Sequence, residues 1–117
     1  MRRLPHERER LERAKARLDR LDLYDVPLSL ARVRVLVDPR LFRVPRFRRY
    51  HGYSLWRTIV VRDENASSDL LTHELCHVWQ AQRRPLAQLW AWVCYSYRSN
   101  PFEREARAAV DATRPAS

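Results

Sequence analysis
Two histidines four residues apart, His73 and His77, stand in the run LLTHELCHVWQ (residues 70–80), and Glu74 follows the first directly. Positions i and i+4 of a helix share a face, so both imidazoles can point at one ion. Glu74 is rotated by about 100° from His73, which sets its carboxylate beside such an ion rather than on it. That is the place for a general base that takes a proton from a metal-bound water, the physical content of the HExxH pattern. The plain alternative is a helix surface that carries two histidines by chance. With four histidines in 117 residues, chance yields the pattern with a frequency on the order of one per cent. The zinc site is therefore the reading adopted.

Zinc needs a third protein ligand and an open fourth position for water, whose pKa then falls to about 7. In the metzincin pattern a glycine and a third histidine follow on the same run, but Gln80 and Arg83 fill those places here. His6 and His51, the other two histidines, both precede the motif. Carboxylates remain: the run NPFEREA offers Glu103 and Glu105, 26 and 28 residues after His77. Such a gap suits one connecting helix that returns the chain across the active-site helix. The two glutamates lie about 200° apart around a helix axis, so only one of them can face the metal.

THELCHVWQ followed by NPFEREA resembles the gluzincin class of zinc metallopeptidases, and within it small bacterial minimal gluzincin domains. In these a strand pair precedes HELxHxxQ, and a later ExEAD segment gives the third ligand. The resemblance spans residues 33–110 and implies a zinc-dependent peptide hydrolase. It places the ligand glutamate three residues before the alanine, which selects Glu103 with Ala106. The alternative alignment, glutamate directly before alanine, selects Glu105; the other glutamate is then a solvated helix charge. The family's aspartate after the alanine is replaced by Arg107, so the carboxylate that would orient a metal-bound histidine has no counterpart there. Asp69, one turn before His73, is the substitute on offer.

The elements that must position these residues are legible from prolines, caps and periodicity. Behind Pro5, residues Leu4, Leu11, Ala14, Leu18 and Leu21 recur at helical spacing, predicting an amphipathic helix within residues 1–26. Its stripe is short enough to pack on its own domain rather than into a coiled coil. ARVRVLVD (31–38) alternates as a half-buried strand, and YSLWRTIVVRD (53–63) reads as a second strand, antiparallel to the first. Asn65, Ser67 or Ser68 caps the helix that carries the motif, and Asp69 complements its dipole. Pro85 ends that helix and starts another; Asn100 and Pro101 open the last. The fold class predicted is α+β: an N-terminal helix, a short antiparallel strand pair, then three helices, with residues 31–113 as the metallopeptidase-like core of one domain.

Other residues weigh less. Tyr95 or Tyr97, or His51 and Tyr53, are candidates to hydrogen-bond a tetrahedral oxyanion, against a simpler role in packing or surface. Cys76 reads as a small core residue. Trp79, Trp90 and Trp92 are expected to supply most of the core, although residues 90 and 92 cannot face the same side of a helix, so one of them marks an exposed surface.

The chain carries 22 arginines and one lysine, Lys15, and a formal net charge of +9. Arginine bias is the first reading of that excess. The densest patch, Arg40, Arg43, Arg46, Arg48 and Arg49, is a solvated loop by default and a surface for nucleic acid or acidic substrate as the sharper option. The N-terminus lacks an apolar leader core, two cysteines make no disulfide framework, and no stretch is apolar enough to span a membrane. A cytoplasmic zinc metallopeptidase acting on a peptide or protein substrate is the expectation. In it, His73, His77 and Glu103 hold zinc and Glu74 activates water. The alternative is a basic, metal-stabilised binding module, associated with nucleic acid, whose zinc site is catalytically idle.

Overall fold
A computed structural model of the chain describes residues 2–44, 52–95 and 99–115. Along the sequence run β1 (Arg2–Arg3), α1 (Glu7–Leu18), β2 (Arg34–Val37), a 3-10 turn (Leu41–Arg43), β3 (Gly52–Leu55), β4 (Thr58–Val61), α2 (Ser68–Arg83), α3 (Pro85–Cys94) and α4 (Pro101–Thr113). The architecture is α+β, with an N-terminal helix, a small mixed sheet of four strands and three later helices.

Two strand expectations are corrected. The run 53–63 is not one strand but a hairpin, β3 and β4, broken at Trp56–Arg57. β4 lies between β2 and β3, and pairs with β2 in parallel rather than antiparallel. The two corrections share one cause. Once the run folds back on itself, its second half points the same way as β2. Ile59, Val60 and Val61 are all buried, as suits an inner strand that pairs on both sides. β1 caps the far edge antiparallel to β2, and Leu4 continues that pairing by donating its N–H to the Val35 carbonyl. Helix α1 therefore starts at Glu7, later than Pro5 suggests, and ends at Leu18.

Helix α2 is the axis of the molecule. It packs against α1, α4 and β3, and from Leu71 to Ala81 nearly every residue is buried, Cys76 among them. Ser67 caps it by accepting a hydrogen bond from the Leu70 N–H at 3.0 Å, satisfying one of the free amides of the first turn. Leu4, Leu11 and Leu18 all join the same core as Val35, Ile59, Leu75 and Trp79. The leucine stripe is thus spent inside the domain. Of the tryptophans in question only Trp79 is core: Trp90 and Trp92 are exposed, because α3 touches the body along one narrow side.

Arg17 ties the helices together at their ends. Its buried guanidinium donates to Thr113 Oγ1, the Val110 carbonyl, Ser68 Oγ and Asp69 Oδ1, at 2.9–3.1 Å. Asp69 also accepts from Arg114 at 2.9 Å, so it is committed to this cluster and does not orient His73. Burial alone would raise the Asp69 pKa, but the hydrogen bonds from Arg17 and Arg114 outweigh it and hold the carboxyl below its usual 3.8. Replacing Arg17 with methionine strands several buried acceptors and should cost about 3 kcal/mol in chemical denaturation. The sign with pH is fixed by the lowered pKa. The contribution of Asp69 is present above the unfolded carboxylate range and lost as pH falls below it, so the gap between wild type and Asp69→Asn should close in acid.

Candidate metal centre
His73 and His77 project from the middle of α2 toward the first turn of α4. There the side chain of Asn100 caps the helix by accepting from the Phe102 N–H at 2.9 Å, and Pro101 occupies the first position. Both are local signals visible in the sequence, and together they fix where Glu103 emerges. Ala106 and Ala109 are buried on the same side and let α4 come close to α2.

The Glu103 carboxylate sits between the two imidazoles. Its Oε2 lies 2.8 Å from His77 Nε2, and its Oε1 lies 2.7 Å from His73 Nε2. The ligand atoms of the three residues fall within 4.8 Å of one another, close enough for one cation to touch all three, and no other such group occurs among the described residues. Glu103 is 1% exposed, and its Oε1 makes no aligned hydrogen bond. Around that oxygen stand His73 Nε2 at 2.7 Å and, more distantly, Arg107 Nε at 3.6 Å, so the carboxylate is turned toward cationic or donating groups, as one placed for a cation would be. Two imidazoles and one carboxylate suit zinc, and they also suit other first-row divalent ions.

Burial would raise the Glu103 pKa, but the neighbouring His73 and His77 outweigh it and hold the carboxyl well below the usual range. His77 moves the other way. Burial would lower its pKa, yet Glu103, Glu74 and Gln80 together raise it.

Gln80 explains the orientation of His77. Its Nε2 faces two acceptors, the Phe102 carbonyl at 2.8 Å and Glu105 Oε1 at 3.0 Å. The amide oxygen is thereby turned to His77 Nδ1 at 2.7 Å, which must carry the proton, so Nε2 is the ring nitrogen aimed at Glu103. Glu105 also accepts from the Tyr24 hydroxyl at 2.6 Å. The expectation of a solvated Glu105 is therefore corrected. It points away from Glu103, but into the seam where the segment after α1 covers α4. The glutamine three residues after His77, on the same helical face, was the signal for this support; Tyr24 had none.

Glu74 is buried on the other side of His73. Burial pushes its pKa up, and the two imidazoles and a hydrogen bond with Ser54 pull it part of the way back. It forms the floor, with His77 and Glu103, of a cleft of about 480 Å³. One wall is β3 along its whole length, and the other is Leu89, Trp92 and Tyr95. Gly52, the chain's one glycine, lets β3 run close over α2, since a Cβ there would stand 3.1 Å from Leu70 Cδ1 and 3.4 Å from Glu74 Cγ. Of the oxyanion candidates, Tyr53 and Tyr95 line this cleft, whereas His51 and Tyr97 lie outside the described residues. So do Arg46, Arg48 and Arg49, while Arg40 and Arg43 of the same patch are exposed.

No family model matches the chain, and no curated protein or solved structure matches it.

Two results should follow in a zinc-competition titration. Glu103→Ala should weaken binding by several orders of magnitude, as should His73→Ala or His77→Ala, since each removes one of the three candidate ligands. Glu105→Ala should weaken it by roughly tenfold, the usual effect of losing a ligand's orienting partner. A silent Glu105→Ala would dissociate the Gln80 network from the metal. The raised His77 pKa adds a sign: metal binding would displace a proton, so affinity should rise with pH, with proton release measurable by calorimetry in buffers of different ionisation enthalpy.

Proposed function
We propose that the chain is a zinc-dependent peptide hydrolase of the gluzincin type. The observation that carries this reading is the convergence of Glu103 on the Nε2 atoms of His73 and His77 at the floor of an open cleft, with Glu74 beside them. Zinc held by these three residues would supply Lewis acidity, polarising a peptide carbonyl and acidifying a water to a pKa near 7.

The chain's own residues then divide the work. Glu74 takes the proton from the attacking water as its oxygen adds to the carbonyl carbon. It returns that proton to the amine nitrogen as the carbon–nitrogen bond breaks. Burial raises its pKa above the ordinary carboxylate value, which favours its holding the proton between the two transfers. Gln80 keeps the His77 tautomer that leaves Nε2 available. Among the described residues β3 is an edge strand of the sheet, so its backbone can align an extended peptide over the site by adding a strand. Tyr53 and Tyr95, both among the residues of the cleft walls, are the candidates to supply a hydroxyl to the oxyanion.

The test is Glu74→Gln, assayed with quenched-fluorescent peptide libraries on zinc-loaded protein. Zinc stoichiometry and thermal stability should stay as in wild type, while hydrolysis falls by roughly 10²–10⁴-fold. Equal turnover in the variant would remove Glu74 as the base. A wild type with full zinc and no cleavage across the library would leave the site as a structural one.

A further inference from the structure
Helix α3 does not fit the rest of the molecule. Its ten residues, PLAQLWAWVC, include no charged side chain, in a chain of which 32% is charged. Ala91 is its one buried residue. Leu86, Trp90 and Val93 are 81%, 68% and 72% exposed. They fall at i, i+4 and i+7 and, with Leu89, make one outward stripe. A helix apolar on nearly every face belongs in apolar surroundings, which this fold does not supply.

The hairpin tip extends the same surface. Leu55 shares the metal cleft with Leu89, and Trp56 shares a second hollow with Pro85. Both tip residues are exposed. Trp56 also holds a φ of 59°, in the left-handed region that bulky side chains avoid. Glycine or asparagine is the usual choice for such a turn. Strain kept in order to present an exposed tryptophan points to a use outside the fold.

The second hollow is also lined by Arg32, Arg57 and Arg83. Arg32 has a left-handed backbone too, with φ 64°, and Arg83 is loosely paired, 3.8 Å from the exposed Asp25. Apolar stripe, strained tryptophan and arginine hollow thus lie side by side.

We propose that α3 and the β3–β4 tip dock the protein on an anionic lipid surface. Trp56 and the stripe enter the interfacial layer, and the three arginines meet lipid phosphates. Charge decides between lipid and a second copy of the chain. A symmetric dimer on this face would bring its arginines, and two net charges of +9, toward each other. Tryptophan favours the membrane interface, where its ring is buried and its N–H stays wet. No helix among the described residues is long and apolar enough to cross a membrane, so the contact is with the surface. The inference stands apart from the hydrolase reading.

Sedimentation with vesicles of phosphatidylglycerol and phosphatidylcholine tests it, with pure phosphatidylcholine vesicles as control. Wild type should bind the anionic vesicles with a blue shift in tryptophan emission and ignore the neutral ones. The triple variant Leu86→Ser, Trp90→Ser, Val93→Ser keeps the net charge and should bind at least about tenfold more weakly. Trp56→Gly should raise the thermal midpoint by relieving the turn, and still weaken binding several-fold. Wild-type affinity in both variants would mean plain charge attraction and overturn the docking face. So would absence of binding by wild type at low salt. A concentration-dependent dimer abolished by the serine variant, without vesicle binding, would assign the face to a second copy instead.

Discussion
A buried carboxylate held between two imidazoles is the constraint to which the rest of this molecule answers. Removing the Glu103 charge from water is costly unless positive or hydrogen-donating groups meet it. Here the two histidines meet it from a single face of α2. That contact demands that α4 press closely on α2, which explains buried alanines at 106 and 109 in place of larger side chains. It also demands that His77 not rotate. Gln80, Glu105 and Tyr24 form a chain of hydrogen bonds that reaches from the ring to the segment following α1. The geometry of the site thus depends on pieces far from it in sequence.

The same economy governs α2 as a whole. A helix surrounded by α1, α4 and β3 has little room for polar groups; His77 and Gln80 are paired, while the buried Thr72 hydroxyl is left without a hydrogen-bond partner among the described residues. Arg17 gathers the N-terminal end of α2 and the C-terminal end of α4, while Gly52 admits β3 to the remaining face. One end of the helix is held by charge, its middle by packing, and the face carrying Glu74 is left toward the cleft.

What the sequence disclosed, and what it hid, follows from the range of the forces involved. Ser67, Pro85, Asn100 and Pro101 act on backbone groups within a turn of themselves, so the boundaries of the last three helices were readable. His73, Glu74 and His77 were readable for the same reason, since helix geometry alone puts them together. Glu103 needed a resemblance to single it out, and the structure brings it to the histidines. β1 was invisible because a two-residue strand exists only through its distant partner β2. The hairpin was hidden because Trp56 sits where a turn-forming residue would have announced it. Glu105 was misjudged because a helix was assumed to have one buried side, whereas α4 has a second neighbour at Tyr24. Hydrophobicity and helix geometry predict one of Trp90 and Trp92 in the core and the other exposed, whereas both are exposed: hydrophobicity says what a side chain prefers and not what the fold provides.

The separation of the ligand-bearing residues has a meaning in polymer terms. His77 and Glu103 are 26 positions apart, and α3 lies wholly inside the loop they close. An ion shared between them would act as a cross-link, removing freedom from the unfolded chain much as a disulfide does, on the order of 3 kcal/mol for a loop of this size. A segment inside such a loop is held by its ends. Ala91 is buried in the body, and Gln88 and Trp92 meet His77; the rest of α3 is governed by what it presents outward, and extra residues between Cys94 and Asn100 would lengthen the loop at small entropic cost.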